Sequence, residues 1–276
     1  MYLGIDVGGT KTLVASLNNH GEIVESRKFP TEKNYDHFLL ELRHALAHMQ
    51  HSDWQAAGVG IPTSRFNRTA GIAYRFGNLP WKSVPIQHDL EKILKCPVTI
   101  ENDAKLASLS EAKLLKDKYQ RVLYVTISTG IGYGLTVDCI IDSNIGDPGG
   151  RSMLIEHRGK FVPWETFASG KAIVEHYGKR AEDIHDEKTW SAIARNLKLG
   201  FLELIAVMQP DVIVVGGSVG NYFERLKKPL ENELKAYETP SLPIPPLLKA
   251  QRPEEAVVFG CYDLAKQRFG NHAATH

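Results

Sequence analysis

Asp6-Val7-Gly8-Gly9-Thr10-Lys11 lies between two apolar runs, Tyr2-Leu3-Gly4-Ile5 and Thr12-Leu13-Val14-Ala15-Ser16-Leu17, and the reading of this segment decides the fold. The first run has the composition of a buried strand, the glycine pair breaks it into a tight turn, and the second run returns beside it as a hairpin. The turn carries a carboxylate at the strand end, two glycines where backbone can approach a ligand, and a hydroxyl and a lysine beside them. Such a turn suits a nucleotide phosphate: exposed backbone N–H groups cradle phosphate oxygens, and the carboxylate can hold a magnesium ion directly or through water. Its glycine spacing fits neither a Walker A loop nor a dinucleotide fingerprint. A plain glycine hairpin is the alternative reading of the segment alone, and the rest of the chain bears on the choice.

Working outward, a third strand is predicted near Glu22 to Arg27, and Phe38, Leu39, Leu42, Ala45, Leu46 and Met49 then recur at helical spacing. The opening reads as ββββα rather than as a Rossmann βαβ. Further strands are predicted at Ala57 to Ile61 and Val98 to Ile100, with a helix from Asp89 to Leu94 between them. From Arg121 the pattern restarts: Val122-Leu123-Tyr124-Val125-Thr126-Ile127, a glycine-punctuated turn, then Leu135-Thr136-Val137. Helices are predicted from Gly170 to His176 and Trp190 to Met208, a strand at Asp211 to Val215, and a last helix from Glu254 to Phe269. Pro240 to Pro246 carries four prolines and must be loop or edge strand. Two domains follow, 1–118 (joined by the C-terminal helix) and 119–276.

With 276 residues, 43% hydrophobic and 24% charged, the chain has the make-up of a globular protein of two α/β domains. Its 33 basic and 32 acidic residues leave a net charge of +1, so no chain-wide field recruits nucleic acid or an anionic membrane. Cys96, Cys139 and Cys261 lie too far apart to suggest a disulfide framework or a zinc knuckle. No apolar run approaches membrane-spanning length, and the start at Met1 lacks a signal-peptide pattern. A cytoplasmic location is expected.

Three more segments carry chemistry. Ser128-Thr129-Gly130-Ile131-Gly132-Tyr133-Gly134 is a second glycine-rich turn with hydroxyls ahead of the glycines, and the two turns together read as a phosphate clamp. Glu101-Asn102-Asp103 stands where a strand ends and a helix begins; Asp103 is either a catalytic carboxylate or only a helix cap. Gly216-Gly217-Ser218 follows a buried strand, the usual place for a nucleotide to lie, although a bare strand-to-helix turn has the same residues.

Taken with Gly77-Asn78-Leu79-Pro80-Trp81 and Ala168-Ser169-Gly170, these segments resemble, in order and spacing across nearly the whole chain, the ROK family of sugar kinases. The resemblance implies an actin-like ATPase (ribonuclease H-like) α/β fold of two domains with an interdomain cleft, and transfer of the γ-phosphoryl group of ATP, bound with Mg²⁺, to a hexose hydroxyl. It assigns Asp103 as general base, Asn78, Asn102, Asp103 and Glu165 to the sugar, and Asp6, Gly8, Gly9, Thr10, Lys11, Thr129, Gly130, Gly216 and Gly217 to the nucleotide. Partners are then small molecules, with a homodimer allowed.

One segment departs from the family. Where Gly-Glu-x-Gly-His precedes a methionine, this chain has Pro148-Gly149-Gly150-Arg151-Ser152 ahead of Met153, so a glycine replaces a sugar-binding glutamate and a serine replaces a histidine that touches sugar and ligates zinc. The cysteine-rich zinc loop is replaced by Gly159 to Trp164, and no structural zinc is expected. Weak use of glucose follows, and Gly149→Glu with Ser152→His should tighten it if the backbone is placed as in the family. Arg151 reads as a partner for a substrate anion or as a solvated side chain. Rival readings are a non-catalytic sugar sensor or regulator, for which the strand starting at Tyr2 leaves no preceding DNA-binding segment, and a polyphosphate-dependent glucokinase.

Overall fold

The computed structural model describes residues 1–252 and 254–270. They form two compact units, Met1–Ser110 with the C-terminal segment from Glu254, and Glu111–Pro253.

In the first unit, β1 (Tyr2–Val7), β2 (Lys11–Leu17) and β3 (Ile23–Pro30) form an antiparallel meander, followed by α1 (Tyr35–Ala47) and β4 (Ala56–Ile61). The opening is thus βββα, and the strand that would make it ββββα follows the helix. A three-stranded antiparallel sheet comes next, from β5 (Thr63–Asn67), β6 (Ile72–Phe76) and β7 (Lys82–Val84), and then α2 (Ile86–Leu94), β8 (Val98–Asn102) and α3 (Asp103–Leu115). The main sheet has the order β3-β2-β1-β4-β8, with β4 parallel to both β1 and β8.

Strand alternation divides the core of this unit in two. Leu3, Ile5 and Val7 pack with Phe38 and Leu42 of α1 and Ile86 and Leu90 of α2. On the other face, Tyr2, Ala15, Leu17 and Ala56 pack with Val258, Tyr262 and Ala265 of the C-terminal helix Ala256–Phe269. That helix lies flush on the strands because a Cβ at Gly58 would stand only 2.1 Å from the Cys261 carbonyl oxygen.

The second unit repeats the arrangement. β9 (Arg121–Ile127), β10 (Ile131–Val137) and β11 (Ile140–Ile141) form a meander. The hairpin of β12 (Leu154–His157) and β13 (Lys160–Pro163) leads to α4 (Glu165–Ala168), α5 (Gly170–Tyr177) and α6 (Glu187–Met208). Then come β14 (Val212–Gly216), α7 (Gly217–Gly220), α8 (Phe223–Lys235) and β15 (Leu247–Lys249), before the C-terminal helix, α9. Its sheet has the order β11-β10-β9-β14-β15, with β14 parallel to β9 and β15. Two antiparallel returns and two parallel crossovers in the same order, once in each unit, make the actin-like ATPase fold.

Helix α6 begins where Asp186 accepts a hydrogen bond from Thr189 N at 2.8 Å, and it buries Trp190, Leu197, Phe201 and Leu204 at helical spacing. Among the described residues no helix is long and apolar enough to cross a membrane.

Candidate functional site

The strand register of the first unit brings its carboxylates together. Asp6 lies level with Gly60 across the β1/β4 pair, and Gly60 with Glu101 across β4/β8, so Asp6 and the Glu101-Asn102-Asp103 turn share one row at the carboxyl ends of parallel strands. Ligands bind at that end of open α/β sheets. The start of α3 is held by Asn102, whose Oδ1 accepts from Ala104 N at 3.0 Å and Lys105 N at 3.3 Å, while its Nδ2 donates to the Thr63 carbonyl at 3.1 Å. Asp103 Oδ1 accepts from Ala104 N at 2.8 Å. Asn102 therefore supplies the deeper cap, and Asp103 sits half-buried in the first turn.

Burial, with the Asp103 charge adding to it and Lys28 partly opposing it, pushes the Asp6 carboxyl up to about 7. Two carboxylates that repel each other in a desolvated row form a site a divalent cation would relieve, so the residues present fit a nucleotide-bound Mg²⁺, with Asp6 as its holder directly or through water. The adjoining turn is closed by Gly8 N donating to the Lys11 carbonyl at 3.0 Å, and Thr10 and Lys11 are exposed. Asn78, also exposed, lies against this turn: a Cβ on Gly9 would come within 2.8 Å of Asn78 Cβ.

In the second unit Ser128 ties three segments into one cradle. Its carbonyl accepts from Gly170 N at 2.7 Å, its N–H donates to the Gly130 carbonyl at 2.9 Å, and its hydroxyl accepts from Ser218 N at 3.2 Å. Thr129 is exposed at the tip of that turn. Gly217 has φ +81° with its Cα against the Ile127 carbonyl, where an added Cβ would stand at 2.6 Å. Next to this cradle is a cavity of about 650 Å³, lined by Ser128, Thr129, Gly170, Ser218, Arg180 and Tyr222 among others. That volume lies in the ordinary range for small-molecule sites. The glycine motifs mark one wall; Arg180 and Tyr222 form another and carry no motif, so no sequence signal pointed to them.

Glu165 is held just after Trp164, which is fully buried and donates through Nε1 to the Asn196 carbonyl at 3.3 Å. Its Oε1 accepts from Arg151 Nε at 3.0 Å and its Oε2 from Ile131 N at 3.4 Å. A Cβ on Gly130 would come within 2.6 Å of that Oε2, so the glycine lets the carboxylate lie against the turn. Arg151 is thus neither a lone solvated side chain nor an open anion receptor; it is the ion partner of Glu165.

The departing segment also differs from what its alignment implied. Residues Gly149–Arg151 form a 3₁₀ turn, Ser152 Oγ donates to the Gly149 carbonyl at 3.2 Å, and Gly149 has φ +60°. A Cβ there would stand 2.4 Å from the Ile131 carbonyl oxygen. Restoring a glutamate at 149 is therefore sterically excluded on this backbone, and the expectation that Gly149→Glu would tighten glucose is withdrawn. Glu156 and His157 lie in β12, with the His157 ring against Phe167, centroids 4.1 Å apart and planes tilted by 54°. Among the described residues no group of three or more His, Cys, Asp or Glu side chains is arranged to hold a metal.

The geometry has counterparts in known proteins. The chain is 29% identical to a glucokinase of Halalkalibacterium halodurans, over 87% of this chain and 86% of that protein. It is 27% identical to an N-acetyl-D-glucosamine kinase of Haemophilus influenzae, over 94% and 97%. The crystal structure of a ROK family glucokinase from Streptomyces griseus in complex with glucose and AMPPNP superimposes with a TM-score of 0.81 at 22% identity, covering 96% of this chain and 99% of that one. The family model described as ROK family matches residues 2–268, a span that takes in the Asp6 turn, the Glu101-Asn102-Asp103 turn, the Ser128 cradle and Gly216-Gly217, and the chain belongs to the ROK family.

Proposed function

We propose that this protein is a cytoplasmic ATP-dependent sugar kinase that transfers the γ-phosphoryl group of ATP to the C6 hydroxyl of a hexose, with Asp103 as general base. The observation that carries the reading is the row of Asp6 with the Glu101-Asn102-Asp103 turn at the strand ends, with Asn102 rather than Asp103 making the deeper helix cap. Asp103 takes the proton of the attacking hydroxyl as its oxygen bonds to the γ-phosphorus, the bond to the β–γ bridging oxygen breaks, and ADP leaves. A base of this kind contributes about 10² to 10⁴-fold, and alignment and charge neutralisation supply most of the rest. Mg²⁺, when bound with ATP, supplies part of that neutralisation.

The glycine turns after β1 and β9 are assigned to phosphates, and the cavity beside Ser128, with Gly216 and Gly217, to the nucleoside. Glu165, Asn78 and Asn102 are assigned to the acceptor. The relatives named glucokinase and N-acetyl-D-glucosamine kinase support a hexose or N-acetylhexosamine acceptor. The test is acceptor-dependent ADP release over hexoses, N-acetylhexosamines and anhydrosugars, with polyphosphate as the competing donor. Saturable ADP release with a hexose is expected; ATP and polyphosphate both inert with every acceptor would overturn the reading in favour of a sensor.

A further inference from the structure

Glu101 is 2% exposed, and its carboxylate is gripped by a residue 33 positions away in sequence. Arg68, in the turn between β5 and β6, donates from Nε to Glu101 Oε2 at 2.9 Å and from Nη2 to Oε1. This is the two-pronged geometry in which a guanidinium fixes both position and plane of a carboxylate. The same Oε1 accepts from Asn102 N at 2.8 Å, the amide one residue ahead of Asp103. At the opposite end of β5, Thr63 accepts from Asn102 Nδ2 at 3.1 Å. The β5–β6 hairpin therefore holds the turn at two points, through Thr63 and through Arg68. It also leads into Gly77 and Asn78, where Gly77 N donates to the Pro62 carbonyl at 2.7 Å.

A buried ion pair is a poor source of net stability, because removing two charges from water offsets most of their attraction. What it supplies here is geometry. We infer that Arg68 is a positioning residue for the phosphoryl-transfer step: acting through Glu101, it fixes the peptide that aims Asp103, and it links that peptide to the hairpin carrying Asn78. The inference rests on the proposed kinase reading. The hydrogen bonds that close the Gly8 turn and the Ser128 cradle run between other residues, so loss of Arg68 removes none of them. The effect falls on kcat, not on nucleotide affinity.

The test uses the full chain with Arg68→Gln, Arg68→Lys and the double variant Arg68→Gln, Glu101→Gln. The double variant leaves no buried unpaired carboxylate, so it separates loss of aim from the desolvation penalty that could unfold Arg68→Gln. A loss of aim worth at least one decade in rate is expected, so kcat falls about tenfold or more in Arg68→Gln and in the double variant. The ATP constant stays within about threefold, and Arg68→Lys recovers part of the rate as a single point charge. Hydrogen exchange at the Ala104 and Lys105 amides, read without any acceptor, should quicken in Arg68→Gln while amides of the Ser128 cradle keep their rates. A kcat within threefold of wild type, a lysine variant no better than glutamine, or unchanged exchange at Ala104 and Lys105 would each overturn the inference. The exchange arm decides on Arg68 even if wild type phosphorylates no acceptor, an outcome that would count against the kinase reading alone.

Discussion

Arg151 Nε donates to Glu165 Oε1 at 3.0 Å, so the carboxylate assigned to the acceptor is already clamped by a guanidinium that is 45% exposed. An ion pair this exposed contributes little to stability, about 0 to 1 kcal/mol, but it sets which way the carboxylate faces.

Arg151→Ala should therefore shift the sugar constant by about threefold or more with the ATP constant within twofold, because a reoriented Glu165 loses or gains a hydrogen bond worth roughly 0.5 to 1.5 kcal/mol. Separate titrations of acceptor and ATP read the two constants. Equal shifts in both would show that Arg151 acts on the whole unit and not on the acceptor.

Gly149→Glu should destabilise the protein. The left-handed backbone costs a side chain about 1 to 2 kcal/mol, and displacing the Ile131 carbonyl adds to it, for a total on the order of 2 to 4 kcal/mol and a Tm lowered by roughly 5 to 10 °C. Ser152→His, at an exposed position, should leave Tm within a degree or two. A thermal melt of each variant decides; a Gly149→Glu protein as stable as wild type would mean that this turn has rearranged.

Asp6 makes stability depend on pH. An acid whose carboxyl is raised from 3.8 to about 7 on folding binds its proton more tightly in the folded state, so its contribution is fully present below pH 3.8 and lost as pH rises to about 7. Because the side chain keeps some contact with water, the loss is on the order of 2 kcal/mol. Asp6→Asn should melt higher than wild type at pH 8, match it near pH 4, and lose phosphoryl transfer. A difference in Tm that does not change with pH would contradict the assigned shift.

Gly217→Ala should weaken nucleotide binding about tenfold or more, since its Cβ would meet the Ile127 carbonyl and Thr126 Oγ1 at 2.6 Å and tilt the cradle away from Ser218. Calorimetric titration with a non-hydrolysable ATP analogue measures it. Unchanged affinity would remove Gly216-Gly217 from the nucleotide site.

How much of this was legible in the sequence follows from the range of each interaction. The hairpins around Gly8-Gly9 and Gly130, and their repetition, were readable because glycine punctuation between apolar runs is a local signal. Strand order was not, since placing β4 beside β1 needs pairings that no local pattern states. The sheet of β5 to β7 escaped because Thr63 to Asn67 mixes small, charged and aromatic residues without clean alternation. Asp103 and Glu165 stood out by motif, but the partners that hold their surroundings, Arg68 for Glu101 and Arg151 for Glu165, lie 33 and 14 residues away. The backbone of Gly149 was misjudged for a related reason: its positive φ depends on close packing against Ile131, which no alignment of residue types reveals.

The central claim is that Asp103 takes the proton of the acceptor hydroxyl, and Asp103→Asn tests it most directly, with kcat and sugar affinity measured on the same protein. The amide is nearly the same size and can still accept from Ala104 N, so the turn should survive while the base is lost. In Asp103→Asn kcat should fall by about 10² to 10⁴-fold with sugar affinity within a few fold of wild type. A variant that keeps more than about a tenth of the wild-type rate would contradict it, since losing a general base should leave far less.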